Sequence, residues 1–146
     1  MNKKGVTLLE LIIVMVIIAI GATLVAPNIG QWLQHYRLRS ATRDIVSTMR
    51  TAQMKAVSTN REYRVSLNGT TESYILQYKN TMGNWLDEGV TQTLPKGIEI
   101  NGDAVFNAEF NPNSTSSSGS VTLRNTKGSE RRIVLTAATG RIRIEE

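Results

Sequence analysis

No cysteine occurs among the 146 residues. That excludes disulfides, thiolate metal ligands, cysteine nucleophiles and a lipid-modified cysteine. It leaves the compartment open, because disulfide-free domains occur on both sides of a membrane. Aromatic residues are scarce, at 5%, so any core must rest on Val, Ile and Leu. Histidine occurs once, at His35, and its basic neighbours mark it as an ordinary surface residue. No Ser/His/Asp set, phosphate-cradling glycine loop or metal-ligand cluster is present, so the chain reads as a non-enzyme with no cofactor and no bound metal. Asp87 and Glu88 are adjacent acids in a loop, a weak cation site outweighed by a plain surface role.

What is present is divided unevenly. Apolar residues make up 40% of the chain and charged residues 20%, but the apolar ones crowd the N-terminus. Met1-Asn2-Lys3-Lys4-Gly5 is short and basic. From Val6 to Ala26 the chain is apolar apart from Thr7, Glu10 and Thr23, and as a helix it is about 31 Å long, one hydrocarbon core. Lys3 and Lys4 ahead of it place the N-terminus in the cytoplasm and the rest outside. A secretory signal peptide predicts a charge-free run followed by a small-x-small cleavage site. Glu10 breaks the first condition, and Pro27-Asn28 follow the only suitable small residues. A plain anchor leaves Glu10 unexplained, and a carboxylate in a span is by default functional.

Lys-Gly followed by Val6-Thr7-Leu8-Leu9-Glu10 resembles the leader of type IV prepilins and type II secretion pseudopilins. The resemblance implies a membrane aspartyl peptidase, the prepilin peptidase, that cuts between Gly5 and Val6 and methylates the new Val6 amine. It makes Glu10 the acid that pairs with a neighbour's N-terminal amine during assembly. It also puts Pro27 where many relatives carry a helix-bending proline. Val6 departs from the commoner phenylalanine or methionine. The implied partners are other pilins or pseudopilins, met through the N-terminal helix. The implied location is the inner membrane, crossed once with the head periplasmic, and later a pilus or pseudopilus.

Beyond the span, Gln31 to Thr59 lacks Gly and Pro. Leu38, Ala41, Ile45, Met49, Ala52 and Ala56 recur at spacings of three and four, one apolar helical face. Trp32 and Tyr36 suit either a membrane interface or packing beneath the head. From Arg61 the period becomes two. Tyr63, Val65 and Leu67 alternate with polar residues, Asn68-Gly69 gives a hairpin-type turn, and Ser73–Lys79 returns. Gly83–Gly89 reads as a loop holding Trp85. Val90–Leu94, Ile98–Asn101, Val105–Phe110, Ser120–Asn125, Arg131–Thr136 and Arg141–Ile144 read as further strands, with Asn111–Gly119 a mobile Ser-rich loop. The expected organisation is a leader (1–5), a transmembrane or filament-core helix (6–27), an amphipathic helix (28–60) and an antiparallel β head (61–146). The fold class is α+β, one long N-terminal helix packed on a small antiparallel sheet system, with the head from about Gln31 soluble alone.

Ala52-Gln53-Met54-Lys55-Ala56, Asn60, Tyr63-Arg64-Val65-Ser66-Leu67, Phe110-Asn111-Pro112 and the closing Gly140-Arg141-Ile142-Arg143 resemble the GspH/FimT group of minor pseudopilins and minor pilins. That resemblance implies a low-abundance structural subunit that initiates or caps a filament. Its alternative is a minor pilin that takes up DNA. Arg124, Lys127, Arg131, Arg132, Arg141 and Arg143 are the candidate phosphate contacts, set against Glu130, Glu145 and Glu146, which would make the same face an ordinary solvated one.

Overall fold

The computed structural model describes residues 5–102 and 105–145, without the side chains of residues 24–29 and 31. Of the leader only Gly5 is among them, and the Pro27 side chain lies outside them. The chain forms two compact units, Met1–Leu33 and Gln34–Glu146. Helix α1 (Leu8–Thr59) contributes residues to both.

In the second unit the apolar face read from the sequence is buried throughout: Leu38, Ala41, Ile45, Met49, Ala52 and Ala56. Three of the six are alanines, which let the sheets approach the helix closely. Val46 and Thr42 join them. Thr42 is tolerated there because its hydroxyl donates to the Leu38 carbonyl at 2.7 Å, which satisfies a polar group in an apolar setting. The helix stops at Asn60, which takes φ 51°, while the Arg61 amide donates back to the Ala56 carbonyl at 3.3 Å. This is a Schellman cap with asparagine in the left-handed position.

Among the described residues nine strands follow, in two antiparallel sheets. The first has the order β3 (Trp85–Asp87), β2 (Ser73–Lys79), β1 (Tyr63–Asn68), β6 (Val105–Phe110), with the short β4 (Gln92–Thr93) also on β2. The second has the order β5 (Ile98–Ile100), β7 (Gly119–Asn125), β8 (Glu130–Thr136), β9 (Arg141–Glu145). Register places Val65 between Leu76 and Ala108, and Ile133 between Val121 and Ile144. Inward positions of both sheets and the helix face form one core, with Phe110 its largest fully buried side chain. The α+β architecture is as read from the sequence.

Two local expectations need correction, and the expected hairpin turn is seen in detail. The Gly83–Gly89 segment is not all loop: Trp85–Asp87 pairs with Gln77–Lys79. A row of registered polar side chains, Glu109, Arg64, Gln77 and Asp87, crosses four strands there. Arg64 donates to Gln77 at 2.7 Å and lies 4.3 Å over the Trp85 ring, so the tryptophan secures the edge strand. The turn after Asn68 spans four residues before Ser73, with Glu72 at φ 48°. Asn68 organises it by accepting the Thr70 and Thr71 amides. The Asn111–Gly119 segment is tied down. Phe110 bridges Ser116, Ser116 is buried, and its amide donates to Ala137 at 3.0 Å.

Candidate functional site

The N-terminal segment is built from its cap upward. Thr7 precedes the first helical residue, and its hydroxyl accepts the Glu10 amide at 3.2 Å. Thr7 is thus the N-cap and Glu10 the third helical residue, the spacing of a capping box. A carboxylate in the first turn also complements the positive end of the helix dipole. Thr7 escaped the sequence reading, although Thr-x-x-Glu before an apolar run is its signal. Gly5 has open space where a Cβ would stand, and Val6 is exposed; both are accessible just ahead of the helix.

Every large apolar residue from Leu8 to Ile20 is exposed, each by 49% or more. A helix apolar on all sides needs a surrounding of lipid or other apolar helices. Among the described residues no helix is by itself long and apolar enough to cross a membrane. The described part of the run, Leu8–Thr23, gives about 24 Å of helix against a core of roughly 30 Å. The apolar residues that extend it to Ala26 lie outside the described side chains. Trp32 and Tyr36 are both exposed.

The basic strands are brought together only in part. Arg124, Arg132, Arg141 and Arg143 share the outward face of the second sheet, opposite the buried Val121, Leu123, Ile133 and Leu135. Arg131 does not, because its register opposite Leu123 gives it the inward parity of Ile133. Lys127 lies in the β7–β8 turn. Acids interleave with the outward cations. Arg124 stands between Glu99 and Glu130, 3.9 Å from the latter. Arg132 is registered with Glu145, which is 3.9 Å from Arg143. Arg141 and Arg143 face the uncharged Thr136 and Val134 across the ladder.

Asp87 and Glu88 are taken by different partners. Asp87 accepts from Gln77 at 2.6 Å, and Glu88 pairs with the Lys55 ammonium. The hydrogen bond from Lys55 to Glu88 holds the Lys55 pKa above its ordinary value. Among the described residues no three His, Cys, Asp or Glu side chains group around a metal position.

Comparison with known proteins gives matches at both ends of the chain. Residues 1–26 match the prokaryotic N-terminal methylation motif, and residues 41–140 match the family described as type II transport protein GspH. Two solved structures of the minor pseudopilin EpsH of the type II secretion system of Vibrio cholerae are similar. One has a TM-score of 0.64 at 9% identity and covers 75% of this chain and 96% of that one. The other has a TM-score of 0.61 at 10% identity, covering 77% and 94%. At such identities the likeness is one of fold. No curated protein matches.

Proposed function

The chain belongs to the GspH family of type II transport proteins, and from that premise we propose that it is a minor pseudopilin, a structural subunit of the type II secretion pseudopilus that works by assembly and not by catalysis. The observation that carries this is the N-terminal helix, apolar on every side and exposed, with one carboxylate in its first turn. Such a helix requires apolar surroundings, and its acid requires a cation within them. Prepilin peptidase cleavage between Gly5 and Val6 creates that cation as the methylated Val6 amine. Before assembly the helix sits in the inner membrane, N-terminus inward and head in the periplasm. In the filament, Glu10 meets the Val6 amine of a neighbouring pseudopilin. At about 4 Å and an effective dielectric of 20 the attraction is roughly 4 kcal/mol, much of it offset by desolvation, so the pair sets axial register more than it adds strength. Pro27, at the end of the apolar run, is the position for a helix bend.

Mass spectrometry of the mature N-terminus tests the reading. A methylated Val6 is expected, and a start near Ala26 would replace it with an ordinary signal peptide. A second reading, DNA capture, draws on Arg141 and Arg143, whose cross-strand partners carry no charge. Under it a head fragment from about Gln31 retards DNA, with affinity falling steeply with salt. Under the structural reading it does not, because the interleaved Glu99, Glu130 and Glu145 cancel most of the field.

A further inference from the structure

The face of α1 opposite the core of the head is exposed. Tyr36, Arg39, Arg43, Arg50, Met54 and Val57 follow one another on it at spacings of three, four, seven, four and three. At 100° per residue they fall within about 80° around the helix axis. All six are exposed, Tyr36 by 58%, Met54 by 68% and Val57 by 48%. They form a stripe, cationic in its middle and apolar at its C-terminal end.

The charge on this stripe is of one sign. Arg39, Arg43 and Arg50 supply three cations over about 16 Å of helix. Among the described residues none of the three forms an ion pair. Arg39 and Arg43 stand four residues apart, a like-charge spacing that works against the helix they belong to. Asp44 does not relieve them. It lies to the flank, where the Ser40 hydroxyl donates to it at 3.4 Å and its charge acts on Tyr74 of β2. The second sheet differs, because Glu99, Glu130 and Glu145 interleave with its arginines. Arginine, methionine and aromatic residues are also the types that protein interfaces concentrate.

We propose that this stripe docks a different pseudopilin, through a surface with carboxylates opposite Arg39, Arg43 and Arg50 and apolar side chains opposite Met54 and Val57. The proposal rests on the reading of the chain as a filament subunit. Charge selects the occupant. Three unpaired cations call for an acidic surface, whereas a second copy of this chain presenting the same stripe meets them with like charge. The apolar end separates protein from nucleic acid, since phosphate contacts are made by charged and polar groups and leave Met54 and Val57 unused. The subunit therefore enters a filament beside other pseudopilins and not in runs of its own.

The test uses the full-length chain in membranes with its secretion machinery. A photo-reactive benzoylphenylalanine is placed at Met54, and in a separate variant at Val14 to report helix-mediated assembly. Position 54 is expected to give an adduct with another pseudopilin, whose joined peptide lies beside two or more acidic residues. Arg43→Glu combined with Arg50→Glu is expected to lower its yield about tenfold, as attraction turns to repulsion. Lysine at the mapped acidic residues restores it. Ser47→Glu guards against misfolding. It adds a carboxylate four residues after Arg43 and three before Arg50, pairs that support the helix, so the melting temperature holds or rises while the adduct at 54 declines. A copy of this chain as the main adduct at 54, a lipid or nucleic-acid adduct there, or a yield indifferent to the double reversal overturns the stripe. So does an adduct at 14 with none at 54, and all four leave the filament reading standing. Absence of adducts at both positions overturns both.

Discussion

Glu10 serves two purposes that a single substitution confounds. It holds the third helical position after the Thr7 cap, the spacing of a capping box, and it is the proposed partner of a neighbour's amine. Glutamine also serves in a capping box, so Glu10→Gln retains the cap and removes the charge. We expect Glu10→Gln to be cleaved normally and to assemble poorly. The loss approaches the roughly 3–5 kcal/mol seen when a buried pair is broken. Thr7→Ala, which weakens the cap by about 1 kcal/mol, should assemble nearly as the parent does. Cross-linking yield to other pseudopilins, read alongside cleavage, checks both, and equal assembly of Glu10→Gln and parent would remove Glu10 from its role. A different residue-scale constraint lies at Gly140. Its φ is +57°, and a Cβ there would stand 2.6 Å from the Ser114 carbonyl oxygen and 2.5 Å from the Gln53 amide. Gly140→Ala should therefore destabilise the head by about 1–3 kcal/mol, through backbone strain and a clash with main chain. At Gly119 the contact is the Phe106 ring at 2.7 Å, a side chain able to turn, so Gly119→Ala should cost less. Thermal melts of the two variants give the order, and a reversed order would show that the Ser114 loop yields more readily than the ring.

Among the elements, the buried face of α1 was legible residue for residue, because a repeat of three and four over Leu38 to Ala56 has one geometric reading. Its energetic weight can be checked by comparing two methionines. Met49 is wholly buried and Met54 is 68% exposed. Met49→Ala should cost about 2–5 kcal/mol in unfolding free energy. Met54→Ala should stay within about 0.5 kcal/mol, and similar losses for both would contradict the packing described. Strands β1, β2 and β6 were equally legible, since six or seven alternating residues suffice for the period to show. Strand β3 was not, and β4 was read as the longer Val90–Leu94. Trp85–Asp87 and Gln92–Thr93 are too short to display any period, and they exist because β2 offers them an open ladder. The Ser-rich segment misled for the opposite reason. Its composition suits a loop, but Ser116 is held by Ala137 and the Ser117 amide donates to Glu109 at 2.9 Å, contacts with distant residues that composition does not encode. The candidate cations were separable only by register, which placed Arg131 inward and set Glu99, Glu130 and Glu145 among the others.

For the molecule as a whole, charge and burial set the conditions under which the head holds together. Lys55 and Tyr74 both titrate above their ordinary values of 10.5 and 10.0, the first chiefly through its bond to Glu88 and the second chiefly through burial. In each case the unfolded chain releases its proton first as pH rises, so the stabilisation is complete at neutral pH and is lost through the alkaline range above pH 10. Lys55→Gln should lower the melting temperature slightly at pH 7, by an amount fitting an exposed pair worth about 0.2–1 kcal/mol. The gap between variant and parent should close above the Lys55 pKa, and a gap that persists there would assign the effect to packing. The exposed apolar helix has a different kind of consequence. Lipid tails are as apolar as the leucines and isoleucines they would surround, so exchanging lipid for neighbouring helices yields little hydrophobic free energy. A subunit leaving the bilayer for a filament moves between two dry phases of nearly equal affinity. Apolar contact can therefore retain the helix in either phase without favouring one. The direction of transfer has to come from the few polar groups and from work done by the machinery, which makes growth and retraction of such a filament close to balanced and open to control.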